Sequence, residues 1–179
     1  MPANIDLSAI TRQAEKMATR AKTAATMQSR LASFLQRRLP PEAKRDIGAQ
    51  YNLSASRISQ GLDAKSKPNG VSLTGYGRGV NLAEFNAKQN ATGLTAVVER
   101  NKPPRQIPHG FIAKAPNGKR LAFIRDLVAG KRSGRLPMRG LFGASVAEML
   151  RNGDRPDRLT DFAQAGASTE AARLLGLEK

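Results

Sequence analysis

The chain has no cysteine. Disulfides and thiolate metal sites are therefore excluded, and the composition suits a reducing compartment. Tryptophan is also absent, and aromatic residues make up only 4% of the chain. Much of the 40% apolar share is alanine. The chain thus predicts a modest core and some reliance on partners, since a small apolar core leaves stability marginal. No apolar run approaches the ~18–20 residues that span a bilayer. The opening "MPANIDLSAITRQ" lacks a basic segment followed by an apolar one. No secretory signal is expected, and the chain is expected to be made in the cytoplasm. Histidine is limited to His109, in the proline-flanked "PHG". No second histidine stands by for a zinc site.

Two glycine-rich stretches resemble phosphate-binding loops only superficially. "GYGRGV" (75–80) is followed by a strand-like segment, whereas a dinucleotide fingerprint needs a helix next and an acidic residue about 20 positions on. "GKR" (130–132) has Arg125 where the upstream glycine of a phosphate loop belongs, and Arg132 where Ser or Thr would hold magnesium. The acidic residues are scattered, with no pair placed by helical spacing as an acid/base couple. A non-enzymatic role, with no cofactor and no metal, is expected.

What is abundant is positive charge. The formal net charge is +16. Residues 1–67 hold twelve Lys/Arg against five Asp/Glu, residues 68–152 fourteen against four, and residues 153–179 four against five. The positive field is strongest in the middle segment and implies a polyanionic neighbour: nucleic acid, an anionic membrane or an acidic protein surface.

From Leu7 to Leu39 there is no Gly and no Pro. Ile10, Ala14, Met17, Ala21, Ala24, Leu31 and Leu35 recur at three- and four-residue steps, with Gln28 the polar interruption. This is one face of a long helix. Arg12, Lys16, Arg20, Lys22 and Arg30 occupy the opposite face. Pro40-Pro41 should end that helix and open a short one over 41–51. Ser54 should cap a second short helix ending near Gly61, and "AKSKPNG" (64–70) reads as a linker. "VSLTGYG" and "VNLAEFNA" predict a hairpin, and "GLTAVVER" (93–100) a third strand. "NKPPRQIPH" (101–109) carries three prolines and should be neither strand nor helix interior. "GFIAKA" and "KRLAFIRD" flank "PNG", a hairpin turn signal. "LVAGKRSGRLPMRG" reads as a loop. "SVAEMLRN" (145–152) should be a helix capped by Ser145, broken by "GDRPDR" (153–158), and the tail has weak helical character with a cap at Ser168.

The predicted class is α+β: a long N-terminal helix and a short helical pair (1–67), an antiparallel β-hairpin sheet with a closing helix packed on it (68–152), and a partly helical tail (153–179).

Two basic features compete for function. "DIGAQYNLSASRISQG" (46–61) has the grammar of a helix–turn–helix, with a reading helix at Ser54–Gln60. Across residues 41–61, that alternative offers Arg57 and Gln60 as side chains long enough to reach base edges. The densest basic run lies elsewhere: Lys119, Arg120, Arg125, Lys131, Arg132, Arg135 and Arg139. Phe123 is the one aromatic interleaved there, so stacking of single-stranded bases is not expected. Such a surface would meet phosphates without sequence preference, or bridge acidic patches on neighbouring subunits through arginine's planar fork.

An ordered series of segments resembles the lambda-type minor tail protein Z family, tail-completion or neck components of long-tailed phages and prophages. The series is "IGAQYNLSASRISQGL", "VSLTGYGRGVNLAEFNAK", "GLTAVVERNKPPRQIPHGFIAKAPNGKRLAFIR" and "GKRSGRLPMRGLFGASVAEML", over about residues 47–150. Ala144 stands where the family often has proline, and the tail after 152 matches little. The resemblance implies an α+β structural protein of the virion neck that completes the head-proximal end of the tail and supports head–tail joining and DNA-end placement. It implies a homo-oligomeric ring, hexameric by expectation, with tail-terminator, head-completion or tail-tube proteins as neighbours. It also implies non-sequence-specific contact with packaged DNA, and it brings no catalytic residues.

Overall fold

The computed structural model describes residues 8–67, 70–125, 127–128, 131–132 and 138–176. Helix α1 runs unbroken from Ser8 to Gln50, with Pro40 and Pro41 in its interior. The expected break, and the separate helix over 41–51, are not found. Each proline withholds an N–H from the helical ladder, which costs about 3 kcal/mol or more in a helix interior. The helix persists because Leu35, Leu39, Ala43 and Ile47 recur at four-residue steps through the pair. Leu39, Ala43 and Ile47 are buried. Burying a Leu or Ile side chain stabilises by about 1.5–3 kcal/mol, enough together with neighbouring contacts to outweigh the lost bonds.

The first half of the stripe behaves differently. Met17 is 66% exposed, Ala24 is exposed, and Lys16, Arg20, Lys22 and Arg30 are exposed as expected. Leu31 and Leu35 are half-buried, and Ala32 is buried. The side chains of Ile10, Arg12, Ala14 and Ala21 lie outside what is described.

Helix α2, Ala55–Gln60, is capped as expected by Ser54, whose hydroxyl accepts from the Arg57 N–H at 3.3 Å. Strands β1 (Leu62–Lys67) and β2 (Gly70–Gly75) pair antiparallel, from Leu62 opposite Gly75 to Lys67 opposite Gly70. Most of the expected linker over 64–70 is therefore strand. β1 is tied to the turn before the prolines by Gln36, whose Nε2 donates to the Ala64 carbonyl at 2.9 Å. Because β2 pairs with β1, the expected hairpin between "VSLTGYG" and "VNLAEFNA" does not form. β3, Gly79–Asn81, leads into a 3₁₀ turn, Leu82–Phe85. The Asn81 carboxamide oxygen accepts from the Ala83 N–H at 3.0 Å and turns the chain. Leu82 and Phe85, three apart, then share one buried face, as eclipsed positions of a 3₁₀ turn do.

Strands β4 (Lys88–Asn90), β5 (Gly93–Ala96) and β6 (Arg105–Pro108) form a three-stranded sheet in that order. The proline-rich stretch thus does contain a strand, at a sheet edge, where proline's missing N–H is tolerated. β7 (Gly110–Lys114) and β8 (Arg120–Arg125) make the expected hairpin. Its turn is closed by Ala115 N–H on the Lys119 carbonyl at 2.8 Å, with Gly118 at φ +78°. β9 (Leu127–Val128) pairs with β10 (Lys131–Arg132). β11 (Met138–Gly140) adds to the free edge of β8, and β12 (Phe142–Ser145) pairs with β3. The expected loop over 127–140 thus contains short strands. Among the described residues the β-layer is five small antiparallel sheets.

Helix α3, Val146–Arg151, carries the expected Ser145 cap as a full capping box with Glu148. It lies close on β2: a Cβ on Gly75 would sit 2.7 Å from the Ala147 Cα, so only glycine permits that approach. The chain breaks at Asn152–Asp154 and re-enters helix at once. α4 spans Arg155–Leu174 with a proline in its first turn. Ser168 is mid-helix, and the tail is a full packing element. Arg155 and Arg158 reach Asp46, whereas Gly166 lies against Phe34, so α4 runs antiparallel to α1.

The central core is formed by Ile47, Tyr51, Leu53, Ile58, Val80, Leu82, Phe85, Leu94, Ala96, Ala122, Val146 and Met149. At its margin, Arg155 is 1% exposed. Its Nε donates to Asp46 Oδ2 at 2.8 Å, one terminal nitrogen to Gln50 Oε1 at 2.7 Å, and the other to the Met149 carbonyl. The guanidinium also lies over the Tyr51 ring, 5.9 Å from its centroid. Partial burial alone would push the Asp46 carboxyl up; hydrogen bonds and charge from Arg158 and Arg155 together outweigh it and hold it below the ordinary carboxylate range. This cluster locks α1, α3 and α4 together.

Candidate functional site

A concave surface of about 800 Å³ opens between α2, β3 with its 3₁₀ turn, the β7–β8 hairpin and the β11–β12 corner. The two basic features that compete in the sequence meet in it. Arg57 and Gln60 line it from α2, Lys119 and Arg120 from the start of β8, and Arg78 from the approach to β3.

Each side chain has a local reason to be there. The Ser54 cap and buried Ile58 set the rotation of α2, which leaves Arg57 and Gln60 on the cleft side. Asn81 is buried and forms part of the cleft lining. Its Oδ1 accepts from the Ala122 N–H at 2.7 Å and its Nδ2 donates to the Ala122 carbonyl at 3.2 Å. One amide therefore joins β3 to β8, and with them Arg78 to Arg120. The Asn117 carboxamide accepts from the Lys119 N–H at 3.1 Å and shapes the turn that presents Lys119.

Phe142 enters from β12, opposite Asn81 in the ladder. It is 58% exposed. A Cβ on Gly140 would lie 2.8 Å from the Phe142 ring, so the ring packs over the space that glycine leaves. Phe123, half-buried on β8, lines the same cleft.

The electrostatics are one-sided. Arg57, Arg78, Lys119 and Arg120 face one carboxylate, Glu84. None of the four forms an ion pair among the described residues. Like charges gathered without partners on a concave surface focus a positive potential, and an anion entering it is attracted from several sides. Guanidinium groups further suit phosphate or carboxylate oxygens through paired N–H donors.

No family model, curated protein or solved structure matches the chain.

The remaining members of the basic run do not line this cleft among the described residues. Arg125, at the far end of β8, lies over the Phe111 ring at 5.4 Å from its centroid. Arg139 is exposed on β11. Lys131 and Arg132 are the two residues of β10, but their side chains lie outside what is described, and Arg135 lies outside the described residues altogether. Sequence reading missed Arg78 and Phe142. Neither stands near Lys119 along the chain, and only the β3–β12 and β8–β11 pairings bring them in. A faint signal for Phe142 exists, an aromatic within three residues of two glycines, but its exposure could not be read from it.

Among the described residues, no group of three or more His, Cys, Asp and Glu side chains is placed to hold a metal ion. No described helix is long and apolar enough to cross a membrane.

Proposed function

We propose that this chain is a structural subunit of a phage neck, completing the head-proximal end of the tail, supporting head–tail joining and turning its basic cleft toward packaged DNA. The observation that carries this reading is the coincidence of two spans. The ordered segments resembling minor tail protein Z cover about residues 47–150, and the central core runs from Ile47 to Met149. The resemblance thus falls on one folded unit and not on scattered turns.

Two further features support it. The α1 arm from Glu15 to Arg30 is exposed along its described side chains except for half-buried Met27, as suits a helix that packs between copies in a ring. The cleft gathers its cations from α2, from the approach to β3 and from the start of β8, and not from one helix alone. α2 has six residues and serves as a wall, whereas a reading helix must enter a major groove about 8.5 Å deep. The helix–turn–helix alternative would have to read bases with Arg57 and Gln60 from this short helix, in a wall shared with cations of other elements.

Sedimentation velocity and negative-stain imaging of the full chain test the proposal. A closed ring, hexameric by expectation, supports it, and Met17→Glu on the exposed arm should shift it toward smaller species. A chain that stays monomeric throughout the micromolar range, or that binds one duplex sequence with a preference surviving raised salt, would count against it.

A further inference from the structure

We propose that the cleft takes a short single-stranded nucleic-acid segment, with phosphates on Arg57, Arg78, Lys119 and Arg120 and one base stacked on Phe142. The inference rests on the cleft facing a polyanion, and not on the virion assignment.

Three observations lead to it. The cations are unpaired among the described residues, so they are available to phosphates. Phe142 is a large aromatic left 58% exposed beside them, backed by Gly140 and with Phe123 lining the same cleft. The volume of about 800 Å³ falls in the ~300–1,000 Å³ range of small-ligand sites. That is space for a few nucleotides.

These features discriminate between polyanions. A duplex hides its base faces by stacking and offers the cleft its backbone and base edges but no open base face, which leaves Phe142 without a role. An acidic peptide supplies carboxylates but no π-face. A single strand offers both at once, charge along the backbone and a base to stack. Gln60 and Asn117 line the same space and can hydrogen-bond base edges of any identity, so little sequence preference follows. Glu84 is the one opposing charge in the lining.

Fluorescence anisotropy of the full chain with a labelled eight-nucleotide oligothymidine measures this directly. Duplex of the same length and polyglutamate serve as competitors. Binding should weaken with salt with a log–log slope of about −3 for four phosphate contacts on a single strand. Phe142→Ala should weaken binding roughly 5- to 150-fold while leaving that slope unchanged. Phe142→Tyr should retain it. Arg57→Ala and Lys119→Ala should each lower the slope instead. Oligonucleotide carrying 5-iododeoxyuridine should photocross-link at Phe142 or Phe123, a readout that does not depend on the folding of any variant. Oligothymidine affinity unchanged in Phe142→Ala, competition by duplex or polyglutamate stronger than by oligothymidine, or cross-links only outside the cleft would each overturn the proposal. Ring formation is measured on the same samples. A ring without single-strand binding refutes this inference and leaves the neck reading standing, and binding by a monomer does the reverse.

Discussion

Arg155→Ala should be the most damaging single substitution outside the apolar core. The side chain is 1% exposed and holds three acceptors on two helices: Asp46, Gln50 and the Met149 carbonyl. Removing it does not strand Asp46, because Arg158 remains 2.7 Å away. It does remove the guanidinium donors from the Met149 carbonyl, which keeps only the longer bond from the Asn152 N–H at 3.4 Å, and from the part-buried Gln50 amide oxygen, and weakening a buried acceptor in this way costs about 1–3 kcal/mol. It also vacates the space filled by a long aliphatic stem, and the cavity adds to the loss. Breaking a buried ion pair from one side costs about 3–5 kcal/mol. Asp46 keeps a partner and some solvent contact, so the lower part of that range applies. For a chain of this length about 3 kcal/mol lowers the melting midpoint by roughly 6–12 °C. Arg155→Met, which keeps the volume and drops the polar contacts, should cost less. Arg158→Ala should cost clearly less than Arg155→Ala, because that pair is half-exposed and screened. Urea unfolding followed by far-ultraviolet circular dichroism gives the three values. An Arg155→Ala protein within about 1 kcal/mol of the parent, or one more stable than Arg158→Ala, would refute the reasoning.

Acid should loosen the same junction. The Asp46 carboxyl is held below its ordinary value of about 3.9, with Arg158 and Arg155 outweighing the burial that raises it. Its contribution is full above that ordinary value and is lost as pH falls through the lower folded value. Glu148, held low by the Ser145 backbone N–H, and Asp154 and Glu170, held low by Arg158 and Arg173, act in the same direction. Stability by urea titration should be flat near pH 5–6 and fall below about pH 4; a loss already complete at pH 5 would contradict this. Asn81→Ala should cost about 2–3 kcal/mol, since it leaves the buried Ala122 N–H without an acceptor, and amide exchange at Ala122 should speed up. Ser145→Ala removes the hydroxyl half of the α3 capping box, leaving the backbone N–H on Glu148, and should cost about 1 kcal/mol, read as a lower midpoint with an unchanged fold.

Local signals account for what could be read along the chain. The Ser54 and Ser145 caps and the "PNG" turn each act within a few residues, and each is found where the residues place it. Long-range competition accounts for the rest. Pro40-Pro41 is a helix breaker judged locally, but Leu39, Ala43 and Ile47 bury one continuous face against other elements. "NKPPRQIPH" is poor strand material until it lies at the edge of β5. "VSLTGYG" has two possible partners, and pairing with β1 wins because Asn81 turns the next segment into a 3₁₀ helix.

The cleft belongs to the second kind. By itself the sequence determined the α+β class, the net positive charge and the lack of residues for thiolate chemistry, because these follow from composition and local periodicity. Only the tertiary structure decided that Arg57 and Gln60 would share a surface with Lys119 and Arg120, and that Phe142 would stand exposed among them. The reason is pairing: β3 with β12, β11 with β8, and Asn81 with Ala122 bring together residues up to 85 positions apart. No spacing rule along the chain encodes which edge a strand will choose when several are open to it.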